Sequence, residues 1–283
     1  MKVTTQHIEE GIEALKHYPA YLWHYAYEKE ILKGTRDYQR FIILSRKRSG
    51  TNFLRYMLDG HPAIETFGEL FMSNSFIPWQ KHGFEFYKHS SNYLKRYRED
   101  PISFLHSAVF KNYPDSIKAV GFKIFPTHAL DPEIKPIWRH LQEDKQLKII
   151  YLIRVNYLAS LVSKKQALQT QQWISHKGPT KAQPVHFNPK MLEEKLQEQE
   201  NIEKYYRHYF RNSDVLEFTY EELVADRVHW EKKILNFLDV PYHTLTPQTS
   251  KQSKSSLRER IENYGELSDY FAGTKWERFF HES

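Results

Sequence analysis

Short apolar runs, many of them β-branched, alternate with amphipathic stretches along most of the chain. The apolar runs predict strands at Phe41–Ser45, Ala63–Phe67, Ala119–Phe125, Lys148–Arg154 and Val215–Tyr220. The amphipathic stretches predict helices at Asn52–Leu58, Tyr157–Gln169 and Val228–Leu238. Asn156 precedes the second of these helices and is a suitable N-cap residue. Buried strands that alternate with helices predict an α/β fold, a parallel β-sheet flanked by helices.

Three segments depart from this alternation. Residues 1–38 are polar and rich in aromatic side chains, and their amphipathic pattern predicts a helical lead-in. Residues 71–114, crowded with aromatic and histidine residues, and residues 171–189, rich in Gln and Pro, have weak periodicity. Inserts of this kind in a compact enzyme often cover a substrate, and a plain surface loop is the alternative. We expect one domain over residues 1–283, with both inserts on its substrate side.

Composition narrows the class of protein. Lys and Arg number 41 against 35 Asp and Glu, and the formal charge of +6 is a weak indication of anionic partners. The absence of cysteine excludes a disulfide framework, a thiol nucleophile and a Cys-ligated metal. The longest apolar runs, Ile149–Ile153 and Phe41–Leu44, are too short to span a bilayer, and Met1–Glu10 lacks the apolar core of a signal peptide. We therefore expect a cytoplasmic protein without a membrane span.

The turn after the first strand carries the strongest candidate chemistry. A strand, a turn with small residues and a helix N-terminus together form an anion site, because backbone N–H groups and the helix dipole both favour negative charge. The turn contains three cations, one glycine and three side-chain donors: Arg46, Lys47, Arg48, Gly50, Ser49, Thr51 and Asn52. These residues predict a phosphate-like ligand, and an exposed basic turn is the alternative. The spacing differs from the Walker A pattern, since Gly50 is followed by Thr51 and no lysine comes next.

The run Arg48-Ser49-Gly50-Thr51-Asn52-Phe53-Leu54 resembles the 5′-phosphosulfate-binding loop of a known enzyme family. These are the sulfotransferases that use 3′-phosphoadenosine 5′-phosphosulfate (PAPS). Further segments resemble the same family in the same order, from about residue 40 to 267, and several look like its bacterial carbohydrate-sulfotransferase branch. The resemblance implies a P-loop-like nucleotide-binding fold, PAPS as co-substrate, 3′,5′-ADP as product, and no metal requirement.

The resemblance also implies contacts to the 3′-phosphate. Arg154, which ends a predicted strand, and a serine on the next helix are expected to hold this group, since a guanidinium can bind phosphate in a bidentate manner. Ser163 lies nine residues after Arg154 and Ser160 six, where the cytosolic branch has eight, so both serines remain candidates. Lys251 and Ser253, in a basic C-terminal segment, are expected to contact the same phosphate.

One aromatic residue is expected near the adenine. Tyr220 begins a Tyr-Glu-Glu-Leu segment that looks like a family marker, and in relatives this tyrosine packs near the base. A place in the hydrophobic core is the alternative for this side chain.

Two residues compete as the general base that removes the proton of the acceptor hydroxyl. Glu69 lies in Gly-Glu-Leu-Phe, which is similar to the segment that supplies the base in the bacterial branch. His128 follows a Gly-Phe-Lys strand and resembles the strand-end histidine of cytosolic sulfotransferases. The resemblance also makes Arg48 the expected catalytic cation near the leaving oxygen, with Lys47 assisting.

The predicted activity is in-line transfer of the PAPS sulfuryl group to a hydroxyl of a carbohydrate or another small acceptor, with a Glu or His general base. One alternative is a P-loop nucleotide kinase-like phosphotransferase, which would need Mg²⁺ and ATP. The other is a non-catalytic basic module for nucleic acid or sulfated glycans. The clustering of cations at strand ends disfavours it, so no nucleic-acid partner is expected. The acceptor and the oligomeric state stay open, and insert aromatics could stack on sugar rings or simply pack: Trp79, Phe84, Phe86, Tyr87 and Trp173.

Overall fold

A parallel sheet organises the described part of the chain. The computed structural model describes residues 16–73, 76–81, 84, 87, 90–171, 182–245 and 255–281. Within these residues the sheet has five parallel strands in the order β2-β3-β1-β4-β5. The strands are β1 Gln39–Ser45, β2 Ile64–Glu69, β3 Ala119–Ile124, β4 Leu147–Ile153 and β5 Asp214–Thr219. The predicted α/β class is confirmed, and each predicted strand lies within two residues of an observed one at both ends.

Helices connect and flank these strands. They are α1 Tyr18–Glu28, α2 Thr51–Asp59, α3 Ser91–Glu99, α4 Pro101–Phe104, α5 Pro136–Glu143, α6 Tyr157–Thr170, α7 Pro189–Tyr209, α8 Tyr220–Ala225, α9 Arg227–Phe237, α10 Leu257–Arg260 and α11 Tyr264–Phe271. A π-helical turn at Leu105–Val109 and a 3₁₀ turn at Glu277–Phe279 complete them. None of the helices formed by the described residues is long and apolar enough to cross a membrane.

The three helices predicted from the sequence are confirmed as α2, α6 and α9. Asn156 caps α6 as predicted, since its Oδ1 accepts a hydrogen bond of 2.9 Å from the backbone N–H of Ala159. The sequence pattern missed α7, the longest helix listed above. Its buried positions are few and include Glu203, so its hydrophobic periodicity is weak.

Both faces of the sheet are covered by apolar side chains, which explains the continuous apolar runs of the central strands. Phe41 and Ile43 of β1 pack with residues of α2 and α9 on one face. Ile42 and Leu44 pack on the other face with α5, α7 and the segment that follows β2. Alternate residues of one strand therefore belong to two different cores.

The segment 71–114 contributes to the second of these cores. Trp79, Phe84 and Tyr87 are buried there, and their rings contact one another and the ring of Tyr93. Of the two readings of these insert aromatics, the structure therefore supports packing for these three. Phe86 and Trp173 lie outside the described residues.

The middle of β3 has no room for a side chain, which generates a prediction about stability. A Cβ atom on Gly121 would lie 2.5 Å from the carbonyl oxygen of Phe41 on β1. We expect Gly121→Ala to lower the free energy of unfolding by about 1–3 kcal/mol, because overpacking forces the two strands apart. Urea unfolding measures this change.

The matched control is Gly265→Ala in the first turn of α11, where a Cβ atom would meet nothing within 4 Å. This change should stabilise the protein by roughly 0.5–1 kcal/mol, because alanine favours the helix. Equal unfolding midpoints for both variants would contradict the close packing of β1 against β3.

Candidate functional site

The residues that the sequence singled out meet at one edge of the sheet. Because all strands are parallel, their carboxyl ends lie together, and this is where α/β folds bind ligands. The candidates follow or end each strand in turn: residues 46–52 after β1, Glu69 in β2, His128 after β3, Arg154 after β4 and Tyr220 after β5. The sheet order places the first loop in the middle.

The loop between β1 and α2 has an unusual backbone. Gly50 is the N-cap residue of α2 with φ +86°, and Arg48 has φ +68°. A Cβ atom on Gly50 would lie 2.2 Å from the ring of Tyr220. Glycine is therefore needed here both for its backbone conformation and for the close approach of the tyrosine ring. Among the described residues, no side chain caps the N-terminus of α2, so the N–H groups of its first turn can bind a ligand.

Two serine hydroxyls at this edge are buried and lack a hydrogen-bond partner within the described residues. They are the Oγ atoms of Ser49 in the loop and of Ser160 on α6. A buried hydroxyl that makes no hydrogen bond is unfavourable, so such groups point to a ligand with acceptor oxygens. Ser163, one turn further along α6, differs because its Oγ accepts a hydrogen bond of 3.0 Å from Nε of Arg48.

Three guanidinium groups converge beside these hydroxyls. Burial lowers the pKa of Arg48, and the neighbouring charge of Arg154 lowers it further. Burial, followed by the charges of Arg154 and Arg48, lowers the pKa of Arg260 to about 10. We call Arg48, Arg154 and Arg260 the cation cluster. Glu69 opposes the lowering at Arg48, and Glu221, whose Oε1 lies 3.9 Å from Nε of Arg154, opposes it at Arg154. Like charges near one another favour the binding of an anion.

Each member of the cation cluster is held by the protein. Nη1 of Arg154 donates to the carbonyl oxygen of Arg48 at 3.1 Å, and its guanidinium lies 5.3 Å from the ring centre of Tyr220. Arg260 donates from Nε and Nη2 to Oε1 of Gln166 on α6, at 2.9 and 2.8 Å. The sequence placed Arg260 in the basic C-terminal segment but assigned the phosphate contacts of that segment to Lys251 and Ser253. The structure brings Arg260 itself near Arg48 and Arg154.

Arg46 does not join the cation cluster. Its guanidinium is buried, donates to Oε1 of Gln199 at 2.9 Å and to the carbonyl oxygen of Arg154 at 3.0 Å, and lies 3.4 Å from Oε2 of Glu203. It also lies 4.2 Å from the ring centre of Tyr157. Groups of the protein itself therefore surround this side chain, and its position does not support the prediction that Arg46 contacts the anion.

A buried lysine links the loop to the candidate base. Nζ of Lys123, on β3, donates to Oδ1 of Asn52 and lies 3.4 Å from Oε1 of Glu69. Burial lowers the pKa of Lys123 to about 8, against the opposing effect of Glu69. The side-chain oxygen of Asn52 is therefore used to accept this hydrogen bond from Lys123. Thr51, the first residue of α2, is buried. The sequence pattern had assigned no role to Lys123.

The two candidate bases are neighbours with different surroundings. Nε2 of His128 lies 4.0 Å from Oε2 of Glu69, and its Nδ1 lies 3.0 Å from the carbonyl oxygen of Leu70. Burial, aided by the charge of Lys47, lowers the pKa of His128 to about 3, so the imidazole is neutral at pH 7. The side chain of Glu69 is 19% exposed and that of His128 only 1%. The carboxylate is thus the more accessible of the two.

Two of the predicted contacts cannot be placed. Lys251 and Ser253 lie outside the described residues. The same holds for most of the insert 171–189, of which residue 171 and residues 182–189 are described.

The chain is similar in sequence to known proteins. Residues 38–281 match the family model described as the sulfotransferase domain. Nodulation protein H of Rhizobium meliloti strain 1021 is 28% identical over 253 residues, which cover 86% of this chain and 95% of that protein. Nodulation protein H of Rhizobium tropici is 28% identical over 247 residues, covering 85% and 92%. A solved sulfotransferase from Alicyclobacillus acidocaldarius is 16% identical with a TM-score of 0.43, covering 86% of this chain and 96% of that one.

The family model covers far more than half of the sequence and includes every strand, the loop after β1 and the cation cluster. The resemblance found in the sequence motifs is thereby confirmed, and the chain belongs to the sulfotransferase domain family.

Proposed function

We propose that the protein transfers the sulfuryl group of PAPS to a hydroxyl of a carbohydrate or another small acceptor. The observation that carries the proposal is the cation cluster at the edge that also holds the buried hydroxyls of Ser49 and Ser160, which lack a hydrogen-bond partner among the described residues. PAPS is densely anionic, with a phosphosulfate at one end of its ribose and a phosphate at the 3′ position. A ligand of this kind would offset the mutual repulsion of the guanidinium groups and satisfy both buried hydroxyls.

Two groups of residues match the two anionic parts of PAPS. The loop after β1, with Arg48, Ser49 and the N-terminus of α2, suits the 5′-phosphosulfate, since helix N-termini bind such anions. Arg154, Ser160 and Arg260 suit the 3′-phosphate, because a guanidinium fork matches phosphate oxygens. The first group follows β1, whereas the second combines Arg154 after β4 with Ser160 of α6 and Arg260 of α10.

Two further residues complete the proposed contacts. Ser163 keeps its hydroxyl hydrogen for a ligand while it accepts from Arg48. We place the adenine of PAPS beside the ring of Tyr220, which packs against Gly50.

The chemistry needs charge stabilisation and proton removal. When bound, PAPS supplies an activated sulfuryl group whose leaving group is 3′,5′-ADP. Arg48, assisted by Lys47, would offset the negative charge that develops on the leaving oxygen, as positioned cations do in phosphoryl transfer. Both residues come from the same loop, so the backbone that binds the anion also positions the catalytic charge.

We assign the role of general base to Glu69. A base is efficient when its pKa lies near the working pH, and the pKa of about 3 of His128 makes this imidazole a poor proton acceptor at neutral pH. Glu69 is the more exposed of the two, and Lys123 holds one of its oxygens at 3.4 Å. His128 would then act as a neutral neighbour that packs beside the carboxylate.

Replacement of Arg48 tests the proposed function. Arg48→Ala should weaken calorimetric binding of 3′,5′-ADP and lower transfer from labelled PAPS to a panel of carbohydrates by on the order of 100- to 1,000-fold, because a preorganised cation is lost. Arg139→Ala, which removes an exposed arginine paired with Glu143 on α5, is the control and should change neither quantity. Near-normal transfer by Arg48→Ala, or no binding of 3′,5′-ADP by the unaltered protein, would refute the proposal.

Replacement of the two candidate bases separates their roles. Glu69→Gln should lower kcat by roughly 10²- to 10⁴-fold, because the amide cannot accept the acceptor proton. His128→Asn should have a smaller effect, since it alters only the surroundings of the carboxylate. Steady-state kinetics at pH 7 with saturating PAPS measures both, and a larger loss of kcat in His128→Asn would identify the histidine as the base.

The buried histidine also predicts how stability depends on pH. The pKa of His128 is about 3 in the folded protein against 6.5 for an ordinary histidine, so the unfolded chain binds more protons between these values. The stabilising effect of neutral His128 is therefore complete above pH 6.5 and is lost as the pH falls toward 3, with a slope of at most about 1.4 kcal/mol per pH unit. Urea unfolding between pH 7.5 and 4 measures this slope.

His128→Asn should flatten this dependence without abolishing it, because burial also lowers the pKa of His24 well below its ordinary value. The comparison concerns slopes, so a general loss of stability in the variant does not affect it. Identical slopes in both proteins would show that His128 is not held neutral by the fold.

A further inference from the structure

The two loops that carry Arg48 and Arg154 of the cation cluster are joined by reciprocal hydrogen bonds. Nη2 of Arg46, in the loop after β1, donates to the carbonyl oxygen of Arg154 at 3.0 Å. Nη1 of Arg154, in the loop after β4, donates to the carbonyl oxygen of Arg48 at 3.1 Å. Each loop thus holds the backbone of the other, and we call this pair of bonds the loop clasp. The clasp determines where Arg48 and Arg154 lie relative to one another.

Glu203 on α7 forms an ion pair with Arg46, whose guanidinium makes one of the two hydrogen bonds of the loop clasp. Oε2 of Glu203 lies 3.4 Å from Nη2 of Arg46 and accepts a hydrogen bond of 3.1 Å from the hydroxyl of Tyr157. Its Oε1 lies 3.0 Å from Nη1 of Arg207, one turn later on the same helix. Gln199, one turn earlier, accepts from Nη1 of Arg46 at 2.9 Å. Two side chains of α7 therefore contact the Arg46 guanidinium, one at each of its terminal nitrogens.

Glu203 also offsets the charge of Arg46. Burial lowers the pKa of Arg46, and Glu203 gives the largest opposing effect. Both side chains are buried, so removing the carboxylate would leave a cation without its counter-charge in the interior. That cation bonds to the backbone of Arg154, a member of the cation cluster, so its displacement would move the cluster directly.

We propose that Glu203 is a positioning residue for the anion site. Its carboxylate fixes Arg46, Arg46 holds the backbone of Arg154, and Arg154 in turn holds the backbone of Arg48. Glu203 itself contacts no ligand. This inference rests on the proposed function, because the affinity that it controls is the affinity for the PAPS nucleotide.

The test measures calorimetric binding of 3′,5′-ADP to the full chain. Glu203→Gln, which keeps the shape and removes the charge, should weaken binding on the order of 10- to 100-fold, as expected when charged contacts are misplaced by about an ångström. The melting temperature without ligand should also fall, because the buried Arg46 guanidinium loses its counter-charge, so binding is measured well below that temperature. Glu200→Gln is the matched control on the same helix, since Glu200 pairs with Lys204 and Lys275 and not with Arg46. It should leave the affinity within twofold.

A double-variant cycle shows whether Glu203 acts through Arg46. Arg46→Met should weaken binding of 3′,5′-ADP by itself, and adding Glu203→Gln to it should cause no further loss. A purely structural role would make the two losses multiply, and this result would overturn the proposal. If Glu203→Gln does not fold, Gln199→Leu decides, because it removes the other α7 contact to Arg46; unchanged affinity in that variant would overturn the proposal.

The outcomes also separate this inference from the function on which it rests. If the unaltered protein does not bind 3′,5′-ADP, the proposed function fails. If it binds and Glu203→Gln binds equally well, only the positioning role fails.

Discussion

The concentration of positive charge at the carboxyl edge of the sheet is the constraint on which the rest of the structure depends. The charge of Arg154 lowers the pKa of Arg48, and the charges of both arginines lower the pKa of Arg260. Their repulsion would separate flexible loops, so the backbone beneath them must be rigid. The central strands provide this rigidity because they are buried on both faces, and the loop clasp joins the two loops that follow them.

The same edge also holds a second buried polar network, on the other side of the central loop. Lys123 connects Asn52 at the start of α2 to Glu69 at the end of β2, and His128 lies beside that carboxylate. Burial keeps the imidazole neutral, so the histidine adds no charge that would compete with Lys123 for Glu69. The strand order β2-β3-β1-β4-β5 therefore places Glu69 and His128 on one side of the central loop and Arg154 and Tyr220 on the other.

Two features of the site depend on parts of the chain that have weak sequence signals. Helix α7 buries few apolar side chains, so its periodicity did not reveal it, yet it supplies Glu203 and Gln199 to Arg46. The aromatic segment after β2 resembled a substrate cover, but the described side chains Trp79, Phe84 and Tyr87 belong to the core. In both cases the decisive contacts join residues far apart in the chain, and local patterns do not contain them.

The sequence by itself determined the positions of the five strands and of α2, α6 and α9, the α/β class and the strand-end positions of the candidate residues, because apolar runs and helix caps are local features. It also identified the family, since its motifs occur in the right order. The tertiary structure alone decided which cations act together. Arg46 and Arg48 are only two residues apart, but their guanidinium groups point to different places. Glu203 on α7 pairs with Arg46 in the interior, whereas Arg48, with its left-handed backbone, donates to Ser163. The direction of a side chain in a loop depends on backbone angles and on distant partners, so only the assembled fold joins Arg48 to Arg154 and Arg260.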